Sequence, residues 1–245
     1  MIINDIVYDE KHDLKMKIYL PDDSKDFDVF VYFHGGGLEN GSRGAADVFA
    51  NDLTDKNIAV VSVDYRLYND AKFPDFLVDS ANSIAWVNAN MHKYGNCKRM
   101  FVGGSSAGGY ISMMLCFDKR YLLDAGVCPD DIAGYIHDAG QPTSHFNVLR
   151  EKGIDTRRII VDETAPLYFI GMEKEYPPMM IVVSDNDMEN RYEQTELVMS
   201  TLRHFRYDMS KVSYKVMNST HCGYLNKHDE NGKNLFANLV LEFIQ

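Results

Sequence analysis

The sequence predicts an α/β protein whose sheet is mostly parallel and covered by helices on both faces. Three observations point there. Short apolar runs alternate with stretches of helical period along most of the chain. One run, "NIAVVSVDY" (57–65), is continuously apolar at its centre, as a strand buried on both faces requires. The chain has 245 residues, enough for one domain with a sizeable core and short for two.

The elements follow in order. Runs near 2–8 and 14–20 are close enough to form an antiparallel edge pair. "FDVFVYF" (27–33) carries the β-branched and aromatic residues of a strand. A Gly-Ser-rich loop leads to a helix over 44–56, and the 57–65 strand comes next. "FPDFLVDSANSIAWVNANMHKYG" (73–95) reads as a helix with Pro74 in its first turn and Gly95 just past its end. "RMFVGG" (99–104) is a strand and "AGGYISMMLCF" (107–117) the helix after it. Further strands are expected at 133–140, 178–185 and 211–217, and helices at 190–205 and 232–244. The segment 141–164 breaks the alternation; it is polar and too long for an ordinary loop, which suggests a small flap over a site.

Composition narrows the class of function. Hydrophobic residues make up 45% and charged residues 25%, as in ordinary globular proteins. With 25 Lys and Arg against 36 Asp and Glu the net charge is −11, unsuited to nucleic acid or an anionic membrane. The four cysteines are scattered without CxxC spacing, and the eight histidines show no HExxH pattern. Reduced thiols and no metal are expected. The N-terminal residues lack the charged and apolar regions of a signal peptide, and no apolar stretch approaches the roughly 20 residues of a membrane span. The expected location is cytoplasmic.

Two motifs carry chemistry. "GGSSAGG" (103–109) contains G-x-S-x-G in one register only: Ser106 has Gly104 two before it and Gly108 two after, whereas Ser105 has Gly103 before but Ala107 after. A serine at a sharp strand-to-helix turn lifts its hydroxyl above the sheet, and the flanking positions then need residues without a Cβ. The second motif, "HGGG" (34–37), stands at a strand end, where consecutive glycines let backbone N–H groups approach a substrate oxygen. His34 itself reads as an anchor for that loop.

A nucleophilic serine needs a base, and the base an orienting acid. His221, in the small-residue turn "NSTHCGY" after the last strand, is the candidate base. His204 falls in a helix, His145 in the possible flap and His228 in a polar stretch. The acid belongs at the end of the preceding strand, where Asp187 and Asp185 compete. Asp187 lies further past the strand end and is preferred.

With these residues in hand, the chain resembles the hormone-sensitive-lipase-like esterases of the α/β-hydrolase superfamily. "HGGG" (34–37), "DYRL" (64–67), "FPDFLVDSANSIAWV" (73–87), "GSSAGG" (104–109), "APLYF" (165–169), the Asp187 loop and "HCGY" (221–224) fall in that family's order. The resemblance implies an α/β-hydrolase fold with a sheet of about eight strands and a minimal cap, forming a single domain over 1–245. It implies Ser106, Asp187 and His221 as catalytic residues and the N–H groups of Gly36, Gly37 and Ala107 as the oxyanion hole. Two departures stand out: the N-terminal cap common in larger members is expected to be missing, because strand signals begin at residue 2, and the family's usual Asp-Pro-Leu acid-loop pattern is absent, "DNDMENRYEQ" looking more like the acid loop of compact esterases and dipeptidyl-peptidase-like hydrolases.

The expected function is a serine carboxylesterase for small-molecule esters, working through an acyl-enzyme without cofactor. Short acyl groups are favoured, acetyl groups on carbohydrates among them. An amide hydrolase such as an arylformamidase or small peptidase is the alternative, and a non-catalytic binding homologue a distant third. Tyr110 and Tyr224, which flank the motifs, and His145 in the possible flap are candidate substrate contacts. Monomer and homodimer are both compatible with the sequence.

Overall fold

In the computed structural model, which describes residues 1–22 and 25–245, eight strands form one sheet. They are β1 (Ile2–Asp9), β2 (Leu14–Tyr19), β3 (Asp26–Phe33), β4 (Ile58–Val63), β5 (Asn96–Ser105), β6 (Ile132–Asp138), β7 (Met179–Asn186) and β8 (Val212–Thr220). The spatial order is β1-β2-β4-β3-β5-β6-β7-β8. β1 and β2 form the antiparallel edge, β2 runs antiparallel to β4, and every pairing from there to β8 is parallel. Parallel strands need crossovers, and helices on both faces supply them.

The helices are α1 (Ala50–Thr54), α2 (Asp75–Asn90), α3 (Ala107–Phe117), α4 (Arg120–Asp124), α5 (Phe146–Glu151), α6 (Pro166–Phe169), α7 (Arg191–His204) and α8 (Leu235–Ile244). Strand residues point alternately to two apolar layers. One face packs Val29, Val31 and Phe33 of β3 with Ile84 of α2, Ile111 of α3 and Val198 of α7. The other packs Phe30 and Tyr32 of β3 with Leu53 of α1 and Phe236 and Val240 of α8. Every residue of β4 is buried, as its unbroken apolar run implied. No helix among the described residues is long and apolar enough to cross a membrane.

Three details differ from the sequence reading. The expected helix over 44–56 is a 3₁₀ turn at Arg43–Val48 followed by the short α1. Phe49 interrupts it, because its ring is held edge-on between Tyr32 and Phe236, each 5.0 Å away. Pro74 stands one place before α2 instead of inside its first turn. The segment 141–164 is not uniformly polar surface. Residues 141–149 are almost all buried, with Val148 and Leu149 fully enclosed, and the stretch from 150 to 163 is mainly exposed.

Candidate active site

The site lies above the C-terminal ends of β3, β5, β7 and β8, where loops of a parallel sheet converge. β5 ends at Ser105 and α3 starts at Ala107, so one residue makes the whole turn. That residue is Ser106, with φ 56° and ψ −111°, a conformation unfavourable for a side chain larger than hydrogen. The neighbouring glycines make it possible. A Cβ on Gly104 would lie 2.5 Å from the Gly108 backbone, and one on Gly108 would lie 1.9 Å from the Phe33 carbonyl oxygen. The Ser106 N–H is held by the Asp138 carbonyl at 2.8 Å.

The preceding serine has a different environment. Ser105 is 1% exposed and its hydroxyl accepts a hydrogen bond from Tyr32 at 3.1 Å. It points below the turn into a buried polar cluster, while the Ser106 hydroxyl faces the loops.

His221 follows β8 directly, and its Nε2 is 2.8 Å from Ser106 Oγ. Its Nδ1 is 2.5 Å from Asp187 Oδ1. With the ring proton on Nδ1 donating to the carboxylate, Nε2 is left to accept from the serine hydroxyl. The Asp187 side chain is fully covered and also accepts from the N–H of Met188 at 2.7 Å and of Ser184 at 3.2 Å. Burial alone would raise its carboxyl pKa. The hydrogen bond and charge of His221, with the two backbone donors, outweigh that and hold it below the ordinary value. Asp185 instead faces away and accepts from the Ser219 N–H at 3.0 Å, tying β7 to the end of β8.

The glycine loop abuts the serine. A Cβ on Gly35 would stand 3.2 Å from the Ser106 Cβ. Gly36 and Gly37 take φ values of 118° and 68°, which turn their peptide planes outward. Among the described residues the N–H groups of Gly36, Gly37 and Ala107 have no protein acceptor. His34 is buried beneath the loop with Nδ1 donating to the Gly35 carbonyl at 2.7 Å, its ring stacked on Tyr65. Burial keeps it neutral by lowering its pKa.

The three expected substrate contacts are not pocket-lining groups. Tyr110 is fully buried and donates to the Thr164 carbonyl at 2.7 Å. Tyr224 is buried and donates to the Asp138 carboxylate. His145 is 2% exposed; its Nδ1 caps α5 by accepting from the Asn147 N–H, and its ring stacks on Phe146. Burial lowers its pKa to about 3. Tyr110 and Tyr224 sit beside the motifs in sequence, but each spends its hydroxyl inside the protein, and His145 spends Nδ1 on the α5 cap.

Two residues that sequence reasoning passed over matter more. Asn147 donates to the Gly37 carbonyl and to Glu39 at 3.0 Å, and Arg150 pairs with Glu39, so α5 is bolted to the glycine loop. Asp138, at the end of β6, bridges the turn at Ser106 to Tyr224 on the histidine loop. Its burial pushes the carboxyl up to about 6, partly offset by the hydroxyls of Ser105 and Tyr224. A polar residue ending a buried strand was the only sequence signal for Asp138, and Asn147 had none.

Among the described residues one trio of ligating side chains, Asp9 at the end of β1, His12 in the turn after it and Asp79 on α2, gathers within 4.8 Å. Arg66 already binds both Asp79 oxygens, at 2.7 Å and 2.8 Å, so a cation there would compete with a guanidinium.

Known proteins agree with this architecture. The BD-FAE family model matches residues 16–127. The chain is 31% identical over 127 residues to probable carboxylesterase 3 of Arabidopsis thaliana, a match covering 46% of this chain and 40% of that protein. It is 36% identical over 111 residues to carboxylesterase NlhH of Mycobacterium tuberculosis, covering 44% of this chain and 35% of that one. These matches thus span about two fifths of the curated relatives' length. In structure, esterase B of Lactobacillus rhamnosis superposes with a TM-score of 0.80 at 15% identity, over 100% of this chain and 85% of that one. The chain thus shares the fold of the superposed esterase, and its matched segments are similar to the BD-FAE family and to carboxylesterases.

Proposed function

We propose that the protein is a serine carboxylesterase acting on small esters with short acyl groups. The observation that carries this reading is the unbroken hydrogen-bonded line from Ser106 through His221 to Asp187, beside three N–H groups without acceptors. The carboxylesterase relatives support it. Ser106 Oγ attacks the ester carbonyl as His221 Nε2 takes its proton. Asp187 holds the imidazole tautomer and balances the charge that develops on the ring. Gly36, Gly37 and Ala107 donate to the tetrahedral oxyanion. His221 then protonates the leaving alcohol, and water releases the acyl group by the same roles in reverse.

Segment 141–164 supplies one wall of the site in this reading, supported by the bonds from Asn147 and Arg150 to the glycine loop. Its large aliphatic residues Val148 and Leu149 are spent on the core. That leaves little apolar surface for a long acyl chain, each buried methylene of which would contribute about 0.8 kcal/mol. Activity on p-nitrophenyl esters is expected to peak at about two to four acyl carbons and to fall steeply by about eight. A kcat/KM that climbs to ten or more carbons would refute the short-acyl preference. Absence of turnover on every ester would refute the esterase itself.

A further inference from the structure

A cavity of about 370 Å³ lies between the acid loop and segment 141–164. Two of its lining residues adjoin residues of the site. Met188 in its wall follows Asp187, and Phe146 in its wall would meet a Cβ on Gly37 at 3.3 Å. Its charged lining is mostly cationic: Arg157, Arg158 and Arg191 stand against a single carboxylate, Glu189, among neutral residues such as Gln141 and Gln194. This contrasts with a chain of net charge −11.

Two of the three arginines, Arg158 and Arg191, form no ion pair among the described residues. Arg191 is 5% exposed, yet its guanidinium reaches only neutral acceptors, the Ala139 carbonyl at 2.5 Å and Gln141 Oε1 at 3.4 Å. Among the described residues it forms no ion pair, and neither does Arg158, which is exposed at the rim. Arg157 is paired with Asp155 of its own turn. A buried guanidinium without a carboxylate is costly unless something supplies the missing charge. Desolvation accordingly draws the Arg191 pKa down to about 10, with Asp187 opposing the shift. A planar fork of N–H donors at a cavity wall suits a carboxylate above other small groups.

We propose that this cavity receives a carboxylate carried by the ester substrate, with Arg158 and Arg191 as its specificity-determining residues. The proposal rests on the esterase reading of the site and names its substrate class: an ester that bears a second, free carboxylate. The carboxylate could belong to the leaving alcohol or to the acyl group, and matched substrates separate the two. For the alcohol side, 4-acetoxybenzoate is compared with neutral 4-acetoxybenzamide. For the acyl side, monomethyl succinate is compared with neutral methyl 4-oxopentanoate.

In wild-type protein, one of the two pairs should show a kcat/KM at least about tenfold higher for its charged member, the scale of one charge-assisted hydrogen bond. That preference should shrink between low and high NaCl, as screening weakens the attraction at the rim. Arg158→Gln and Arg191→Met should each move the charged-to-neutral ratio toward one, mainly through KM of the charged ester, and Arg191→Lys should restore part of it. Arg158 is exposed, so its variant keeps the test decisive even if Arg191→Met fails to fold. Hydrolysis of the neutral members as fast as or faster than the charged ones, in both pairs, overturns the proposal and leaves the esterase standing. No hydrolysis of any of the four esters removes both.

Discussion

A Cβ added to Gly108, at the turn that carries Ser106, would sit 1.9 Å from a backbone oxygen of β3; one added to Gly153, in segment 141–164, would meet nothing within 4 Å. The two walls of the site differ throughout in this way. The serine turn is fixed by backbone packed against backbone, which leaves room for one conformation. The opposite wall is fixed by side chains: His145 capping α5, Asn147 and Arg150 reaching the glycine loop, and Tyr68 donating to Glu151 at 2.8 Å. Under the proposed esterase reading, the chemistry would be held on the rigid wall and recognition would fall to the wall whose residues can change without disturbing the sheet.

The largest effect that can break this comparison is a methyl group. Gly108→Ala should abolish soluble folded protein or Ser106 reactivity, since the sheet and α3 must separate to admit it. Gly153→Ala should lower stability by only about 1 to 2 kcal/mol, the cost of its left-handed backbone at φ 70°. Thermal unfolding and fluorophosphonate labelling read both. A Gly108→Ala protein with normal melting and labelling would show that the turn is not as tightly determined as its contacts imply.

Next in size is the acid. Asp187→Asn should reduce kcat by about 10⁴-fold, as in triads generally, by stabilising the wrong imidazole tautomer. Asp185→Asn removes a strand-end hydrogen bond to Ser219 and should cost no more than a few-fold. Equal and mild losses would move the acid elsewhere.

A smaller effect separates the walls by pH. His137 under the serine turn and His145 in the opposite wall are both buried, and burial lowers each pKa to about 3. The unfolded chain takes up those protons near pH 6.5 and the folded chain does not. Each histidine therefore contributes stability that is present above pH 6.5 and lost as pH falls toward 3, by at most about 1.4 kcal/mol per pH unit. Asp138 acts in the opposite sense. Its carboxyl, raised to about 6, favours the folded state as pH falls from 6 toward 4. Two histidines outweigh one aspartate, so the melting temperature should fall on acidification between pH 6.5 and 4. His145→Asn, which keeps a capping acceptor, should flatten that slope. An unchanged slope would place the acid sensitivity in the serine turn and its surroundings.

How far the sequence revealed the two walls follows from how each is built. The β5–α3 turn was readable because its constraint is local: four glycines and two serines within seven residues admit few conformations. The strands were readable because burial on both faces leaves continuous apolar runs. Segment 141–164 was only partly readable, because its polar composition does not show which residues turn inward. Thr143, Ser144 and Asn147 are in fact buried, paired with Gln194, Asp162 and the glycine loop across gaps of 18 to 110 residues. Tyr110 and Tyr224 were assigned to substrate for their place beside a motif, and His145 for its place in the possible flap. Nearness in sequence to a motif says nothing about which way a side chain points. Partnerships of that kind depend on tertiary packing and leave no periodic trace.

The central claim is that two adjacent serines have opposite fates, one buried as structure and one presented as nucleophile. It is tested most directly by labelling the intact protein with a fluorophosphonate and locating the adduct by mass spectrometry. The account predicts a single adduct on Ser106, lost in Ser106→Ala while that variant still melts cooperatively, and retained in Ser105→Ala. An adduct on Ser105, or a Ser106→Ala protein that labels and turns over ester like wild type, would contradict it.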